Sequence, residues 1–213
     1  MKVAFSFKLQ AASAGLVLAM LSSGCAMIAP RAEQVTVKPL GSSWVSSRTD
    51  SGSFGSAKVN ITTKVGEQTW QGKQMVAFET PESTTLTYAS GDLLGYFKGG
   101  TPLVTFDPPI GLAWPLEVGK SQNTSRRMTI HASKQVVSFE YAQKIEAYEE
   151  VTVSAGTFKS FKISTSDTIG NETVHWYSPE LGIFVKTISI RTAKHAAGPG
   201  RRDVEVVSQT ITK

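Results

Sequence analysis

Cysteine is nearly absent from this 213-residue chain: Cys25 is the sole example, so no disulfide can staple a domain internally and the fold must hold by apolar burial. Histidine is scarce too, with only His131, His175 and His195, and no pair of them has the spacing of metal ligands or of successive helical turns. Neither G-x-S-x-G nor H-E-x-x-H occurs, which removes the usual sequence signs of an esterase elbow or a zinc hydrolase. "VGKS" at Val118 to Ser121 imitates the end of a phosphate loop, but Trp114 stands where the first glycine is required. No amphipathic helix is convincing; the best stretch, Tyr141 to Val151, suits a long strand equally well. No metal, cofactor or nucleic-acid partner is implied.

What is present begins at the N-terminus. Lys2 and Lys8 are the only charges before Arg31, and the residues between Lys8 and Cys25 are, Gln10 apart, apolar or small. A basic start, a short apolar run and a small-residue end form an export signal. The core run, Ala11 to Leu21, is shorter than the ~20 apolar residues a membrane-spanning helix needs.

Cys25 itself has four readings: a reactive thiol, half of an intermolecular disulfide, a metal ligand, or an attachment point. A thiolate needs a base or positive surroundings, and a metal needs further ligands; no His, Cys or acid lies within six residues on either side. "LSSGC" resembles the lipobox of bacterial lipoproteins, with Leu21 one place further from the cysteine than in the commonest pattern. The resemblance implies cleavage between Gly24 and Cys25, a diacylglyceryl thioether on Cys25, and acylation of the new amine with a palmitate-class chain. Two or three chains hold where one alone binds marginally. Ala26, rather than aspartate, after the cysteine implies an outer-membrane address.

Removing residues 1–24 takes two lysines and no acid, which leaves 20 basic against 17 acidic residues and lowers the formal charge from +5 to +3. That is weak support for any polyanion partner. The remaining 189 residues suit one domain.

Residues 25–56, ending in the Gly/Ser-rich Gly41 to Ser56, read by composition as a lipidated N-terminus with a flexible tether. A second reading packs Trp44 and Phe54 onto the domain as an anchored arm. From residue 57 to 213 the apolar period is two, as in Val59, Ile61 and Val65, then Val137, Phe139 and Tyr141, then Phe161, Ile163 and Thr165. Short runs of this kind, punctuated by Gly, Asp and Pro, predict an antiparallel all-β domain of about ten strands, a sandwich, a curved half-barrel or a barrel.

The segment Val151 to Lys186 reads as strand, Ala155-Gly156 turn, strand, Gly170-Asn171 hairpin, aromatic strand, a turn at Pro179 to Gly182, and strand. Its "TVSAGTF" and "WYSPELG", with "PLEVGKS" upstream, resemble an uncharacterised family of exported bacterial β-rich domains of unknown function. The resemblance implies fold class and export, and no activity.

Candidate binding residues are few. His175, Trp176 and Tyr177 share the aromatic strand, and "RTAKHAAGPGRR" gathers Arg191, Lys194, Arg201 and Arg202 around a Gly/Pro-containing loop, with Arg126-Arg127 a further basic pair. Plain core packing and a solvated hairpin are the alternatives for these groups. The function these features support is a membrane-anchored, non-catalytic envelope module that binds an apolar ligand, a lipid, a glycan or a partner protein. The alternative is a periplasmic hydrolase using two of Glu146, Glu149, Glu150, Asp167, Glu172 and Glu180.

Overall fold

The computed structural model describes residues 30–36 and 38–211. The signal segment, Gly24 and Cys25 lie outside the described residues. Fourteen strands and no helix occur among the described residues: β1 (Arg31–Ala32), β2 (Ser43–Gly52), β3 (Lys58–Trp70), β4 (Lys73–Glu79), β5 (Thr84–Thr87), β6 (Leu93–Lys98), β7 (Thr101–Ile110), β8 (Leu116–Glu117), β9 (Ser121–Ile130), β10 (Gln135–Val153), β11 (Gly156–Asp167), β12 (Asn171–Ser178), β13 (Ile183–Arg191) and β14 (Gly200–Thr210). The expectation of an all-β antiparallel domain holds, and its barrel form is the one adopted.

Twelve strands close into a ring, and β1 pairs with β8 outside it. With those two set aside, every strand pairs antiparallel with its predecessor and successor, and β2 closes on β14 from Ser43↔Thr210 to Gly52↔Gly200. This is an up-and-down barrel, a closure that leaves no long unpaired edge.

That closure corrects the tether. Ser43–Gly52 is a ten-residue strand between β14 and β3. Its polar composition is not that of a linker: the strand is wet on its outer face and carries Arg48 and a buried Asp50 on its inner one. Trp44 and Phe54 pack as the anchored-arm reading expected, Trp44 against Phe78 at 5.9 Å and Phe54 beneath two arginines.

Because side chains alternate along a strand, the register sorts the ring into two faces. The inner face carries Arg48 and Asp50 (β2), Val59 and Ile61 (β3), Tyr96 (β6), Phe106 (β7), Arg126 and Met128 (β9), Phe139 and Tyr141 (β10), His175 and Tyr177 (β12), Arg191 (β13) and Arg202 (β14). The outer face bears Lys58, Asn60, Thr62 and Lys64 on β3, and Ser138, Glu140 and Lys144 on β10, all exposed. A transmembrane barrel presents an apolar band there. On β3 and β10 that face is polar and charged.

One stretch of wall curls the other way. Met75, Ala77, Leu86 and Phe97 are buried on the outer face, and Trp70 meets Phe97 edge-on at 4.8 Å although two strands separate theirs around the ring. Gly95 permits the tight approach of β7, since a Cβ there would lie 2.2 Å from the Val104 carbonyl oxygen. The hairpin of β3 and β4 therefore folds over β5 and β6 as a small secondary core.

One end of the barrel is sealed. The segment 111–120 turns inward, its Ala113 N–H donating to Gln143 Oε1 at 2.7 Å and its Trp114 meeting Tyr177 edge-on at 5.7 Å. Leu116 is fully buried among Ile145, Phe161 and Ile163, a burial that contributes roughly 1.5–3 kcal/mol. Across this end runs the N-terminal arm, residues 30–36 and 38–42. Ala32 pairs with Leu116, Thr36 Oγ1 donates to the Pro179 carbonyl at 2.6 Å, and the Gly41 N–H donates to Val65 at 3.0 Å. Only about 30 Å³ remains between Val35, Thr36 and Lys38 and the wall at Val76, Phe78 and Thr87. Burial over the Phe78 ring pushes the Lys38 amine down to about 8.

Candidate functional site

Toward the opposite rim the inner wall changes character from aliphatic to aromatic and charged. Tyr96 is 40% exposed, yet its hydroxyl lies within electrostatic reach of Tyr141 on β10 and Arg202 on β14, and burial raises its pKa. His175 is similar: it borders solvent in part, and burial still pushes its imidazole down to about 4. Groups that protein surrounds while water still touches them line an internal space. Phe184 and Val59, on the same face, are 40% and 38% exposed.

Four arginines reach this space. Arg202 forks onto Asp50 with Nε at 2.7 Å and Nη2 at 3.0 Å, and Arg48 Nε approaches the same carboxylate at 3.1 Å. The bonds from Arg202 hold the Asp50 carboxyl below the usual carboxylate range. Arg48 also forks onto Glu82, in the connection after β4, at 2.7 and 3.1 Å. Arg191 donates to the Ser53 carbonyl at 2.9 Å and, like Arg202, stacks on Phe54, at 4.0 and 4.6 Å. Arg126, 7% exposed, donates Nη1 to the carbonyls of Pro108 (2.9 Å) and Pro109 and sits 5.8 Å from the Tyr141 ring centre.

Strand alternation divides the residues that sequence grouped together. Arg191 and Arg202 turn inward, whereas Arg201 forks onto Asp203 at the surface and Lys194 is exposed in the loop. The single basic loop face expected of Arg191 to Arg202 is therefore two half-sets on opposite sides of the wall. Arg126 and Arg127 split likewise, the latter pairing with Asp107 outside. In the aromatic strand, Trp176 faces outward, donating to Glu149 at 2.7 Å beneath Lys186. His175 and Tyr177 face inward; His175 lies against Phe184 at 4.5 Å and Thr187 Oγ1 at 3.2 Å, and the Tyr177 hydroxyl accepts from the Thr36 N–H at 3.3 Å.

The acids are dispersed. Glu146 pairs with Lys162 at 3.1 Å, Glu149 with Trp176, and Asp167 takes the Asn171 N–H and amide, both at 2.8 Å. Glu150, Glu172 and Glu180 are exposed. No group of three or more His, Cys, Asp or Glu converges among the described residues. A shallow cleft of about 330 Å³ opens where β11 ends beside β10, lined by Asn123, Glu140, Tyr141, Ala142, Ser166, Asp167 and Thr168. From Gln135 to Glu140, β10 pairs only with β9, so the wall is split there.

Sequence reading did not pick out Arg48, Asp50, Tyr96 or Tyr141 for the site. The signal for the first two was the alternation of Arg48, Asp50 and Gly52 against Val45 and Ser47 in a stretch whose serines disguise it.

These features define an up-and-down barrel, closed at one end and carrying arginine and aromatic groups on its inner face toward the other. No family model and no curated protein matches the sequence. Three solved structures are similar in outline. One is a lipoprotein candidate of Parabacteroides distasonis ATCC 8503, with 13% identity over 84% of this chain and 99% of that chain, at a TM-score of 0.44. The second is an exported-protein candidate with a YmcC-like fold from Bacteroides fragilis NCTC 9343, with 12% identity over 84% and 99% at 0.41. The third is the hypothetical lipoprotein YmcC of Escherichia coli K12, with 9% identity over 81% and 87% at 0.44. Likeness at this level assigns neither ligand nor activity to this chain.

Proposed function

We propose that this chain is an envelope lipoprotein, anchored through acylated Cys25 in the outer membrane, whose barrel is a non-catalytic binding module that receives its ligand in the lumen. The observation that supports the lumen as the receiving site is the inner wall itself: Tyr96 and Phe184 keep 40% of their surface toward water inside a ring of twelve strands. Internal spaces with aromatic walls and a few fixed polar groups are the common form of small-ligand sites.

The anchor adds an orientation. Pro30, where the described arm begins, lies only five residue steps after Cys25, a reach of at most ~18 Å at ~3.6 Å per residue. The arm crosses the sealed end, so a lipid on Cys25 holds that end toward the membrane and the arginine-bearing rim away from it.

Expression of the full chain in a two-membrane bacterium tests both halves of the reading. The membrane-extracted product is expected to have the intact mass of a triacylated chain beginning at Cys25, and Cys25→Ala to leave the membrane fraction. An unmodified chain still beginning at Met1 would refute the anchor. Co-purification with a small molecule that protects the Tyr96 and Phe184 rings from solvent-borne oxidation is expected for the lumen; unchanged protection in envelope-purified and refolded protein would refute it.

A further inference from the structure

The sealed end carries two turns of the same build. Pro39–Ser42 closes with the Ser42 N–H donating to the Pro39 carbonyl at 3.2 Å, and Glu117–Lys120 with the Lys120 N–H donating to the Glu117 carbonyl at 3.1 Å. In each the third residue is a glycine at positive φ, Gly41 at +82° and Gly119 at +92°, which makes both type II turns. The second residue of such a turn projects from its apex, a place that suits proline and gains nothing from an apolar chain left in water. Here the two apices are Leu40 and Val118, 55% and 48% exposed.

Neither side chain can fold back into the core, because backbone bonds fix both turns to the end of the barrel wall. The Gly41 N–H donates to the Val65 carbonyl at 3.0 Å and that of Val65 to Ser42 at 2.8 Å; Gly119 donates to Ile145 and Ile145 to Lys120, both at 2.8 Å. The charges beside the apices are already engaged. Lys38 Nζ lies over the Phe78 ring and 3.4 Å from the Thr36 carbonyl, Lys120 Nζ donates to the carbonyls of Trp114 (2.8 Å) and Pro115 (3.0 Å), and Glu117 is ion-paired with Arg31. The sequence between Cys25 and Arg31 has the same character: Ala26, Met27, Ile28, Ala29 and Pro30 include no polar or charged side chain. A solvated spacer is polar or glycine-rich, and this one is neither.

We infer that the sealed end is a lipid-contact surface, with Leu40 and Val118 entering the interface of the membrane that holds the acyl chains of Cys25. This rests on the acylation of Cys25 and specifies what the end nearest to it touches: the barrel is seated on the bilayer and not held off it. Lipid fits better than a protein partner because the start of the arm is tied within ~18 Å of the anchor, leaving little depth for a folded domain between them. Contact through apolar groups, unlike contact through exposed charges, is not weakened by salt.

Membrane-extracted protein from expression of the full chain, reconstituted in phosphatidylethanolamine–phosphatidylglycerol vesicles, decides it. Cys25 is the sole cysteine and acylation consumes its thiol, so Leu40→Cys, Val118→Cys and Val136→Cys each offer one thiol to a nitrobenzoxadiazole dye. Val136, 58% exposed near the start of β10 at the opposite rim, separates position from exposure. A lipid bearing a nitroxide on its acyl chain is expected to quench the dye at positions 40 and 118 at least ~3-fold more than at 136, equally at ~0.05 and ~0.5 M salt. Excess quenching at either position supports the contact, so the test stays decisive if one variant does not fold. If neither position exceeds 136 while the protein floats with the vesicles, the lipid-contact surface is overturned and the anchor stands. Dyes at 40 and 118 that are unquenched in vesicles but shielded from iodide in native envelopes assign the end to a protein partner and overturn it likewise. Protein that does not float with the vesicles overturns anchor and seat together.

Discussion

Asp50→Ala is the sharpest test of the architecture, because Asp50 lies in a stretch whose composition is that of a linker. Its side chain is 2% exposed and accepts two bonds from Arg202, with Arg48 Nε at 3.1 Å as a further partner. Removing one member of a buried ion pair costs about 3–5 kcal/mol, since the remaining charge is left without compensation. Arg202 is itself a third exposed and can recover some hydration, so the lower figure of ~3 kcal/mol applies. At ~2–4 °C per kcal/mol for a domain of this size, the midpoint falls by roughly 6–12 °C. Urea unfolding at pH 7 reads the loss as a lower midpoint at unchanged slope. Asp203→Ala is the control: it breaks an equally well-formed fork with Arg201, but at side-chain exposures of 36% and 50%, and is expected to cost no more than ~1 kcal/mol. If Asp50→Ala behaves like Asp203→Ala, residues 43–52 are not a strand of the barrel and the closure of the ring is wrong.

Three further expectations follow from the same geometry. His175 is held neutral by burial, with a pKa near 4 against 6.5 when unfolded; unfolding therefore takes up a proton between those values. Its contribution, roughly 3 kcal/mol, is fully present above pH 6.5 and lost as pH falls through about 4, and His175→Phe is expected to flatten that part of a stability-versus-pH curve. The carboxylates held low by arginine or lysine, Asp50, Glu82 and Glu146, act at lower pH, losing their contribution as pH falls below the ordinary carboxylate range. Gly182→Ala puts a Cβ 2.7 Å from the Thr36 carbonyl oxygen at φ +66°, and is expected to cost about 1–3 kcal/mol and to speed tryptic cleavage at Arg31; unchanged cleavage would refute the arm's seat on the barrel. Leu116→Ala, although placed in a connection between ring strands, is expected to cost about 2–5 kcal/mol by calorimetric unfolding, since it is fully buried; a loss under 1 kcal/mol would show the plug to be loose.

Strands with one dry face were legible. Phe161, Ile163 and Thr165 alternate because their inner neighbours are Leu116 and Ile145, and the turns at Gly156, Gly170 and Gly182 all fall where glycine marked them, each at positive φ. Strands polar on both faces were not. β2 (SWVSSRTDSG) and β9 (SQNTSRRMTI) carry polar or charged groups both inside and outside, so period two leaves little apolar trace in them. The same physics hid the site: a lumen arginine and a surface arginine are identical letters, and Arg126 beside Arg127, like Arg202 beside Arg201, differs only in which way the pleat turns it.

The residues by themselves determined the class of fold and the turn positions, because these depend on local periodicity and on backbone freedom. Closure of β2 on β14, the arm across one end, and the meeting of Arg126 with Tyr141 and of Asp50 with Arg202 were decided only in three dimensions. Those contacts join positions up to 167 residues apart, from Ser43 to Thr210, and a ring of strands has no local sequence code for which of its ends will meet.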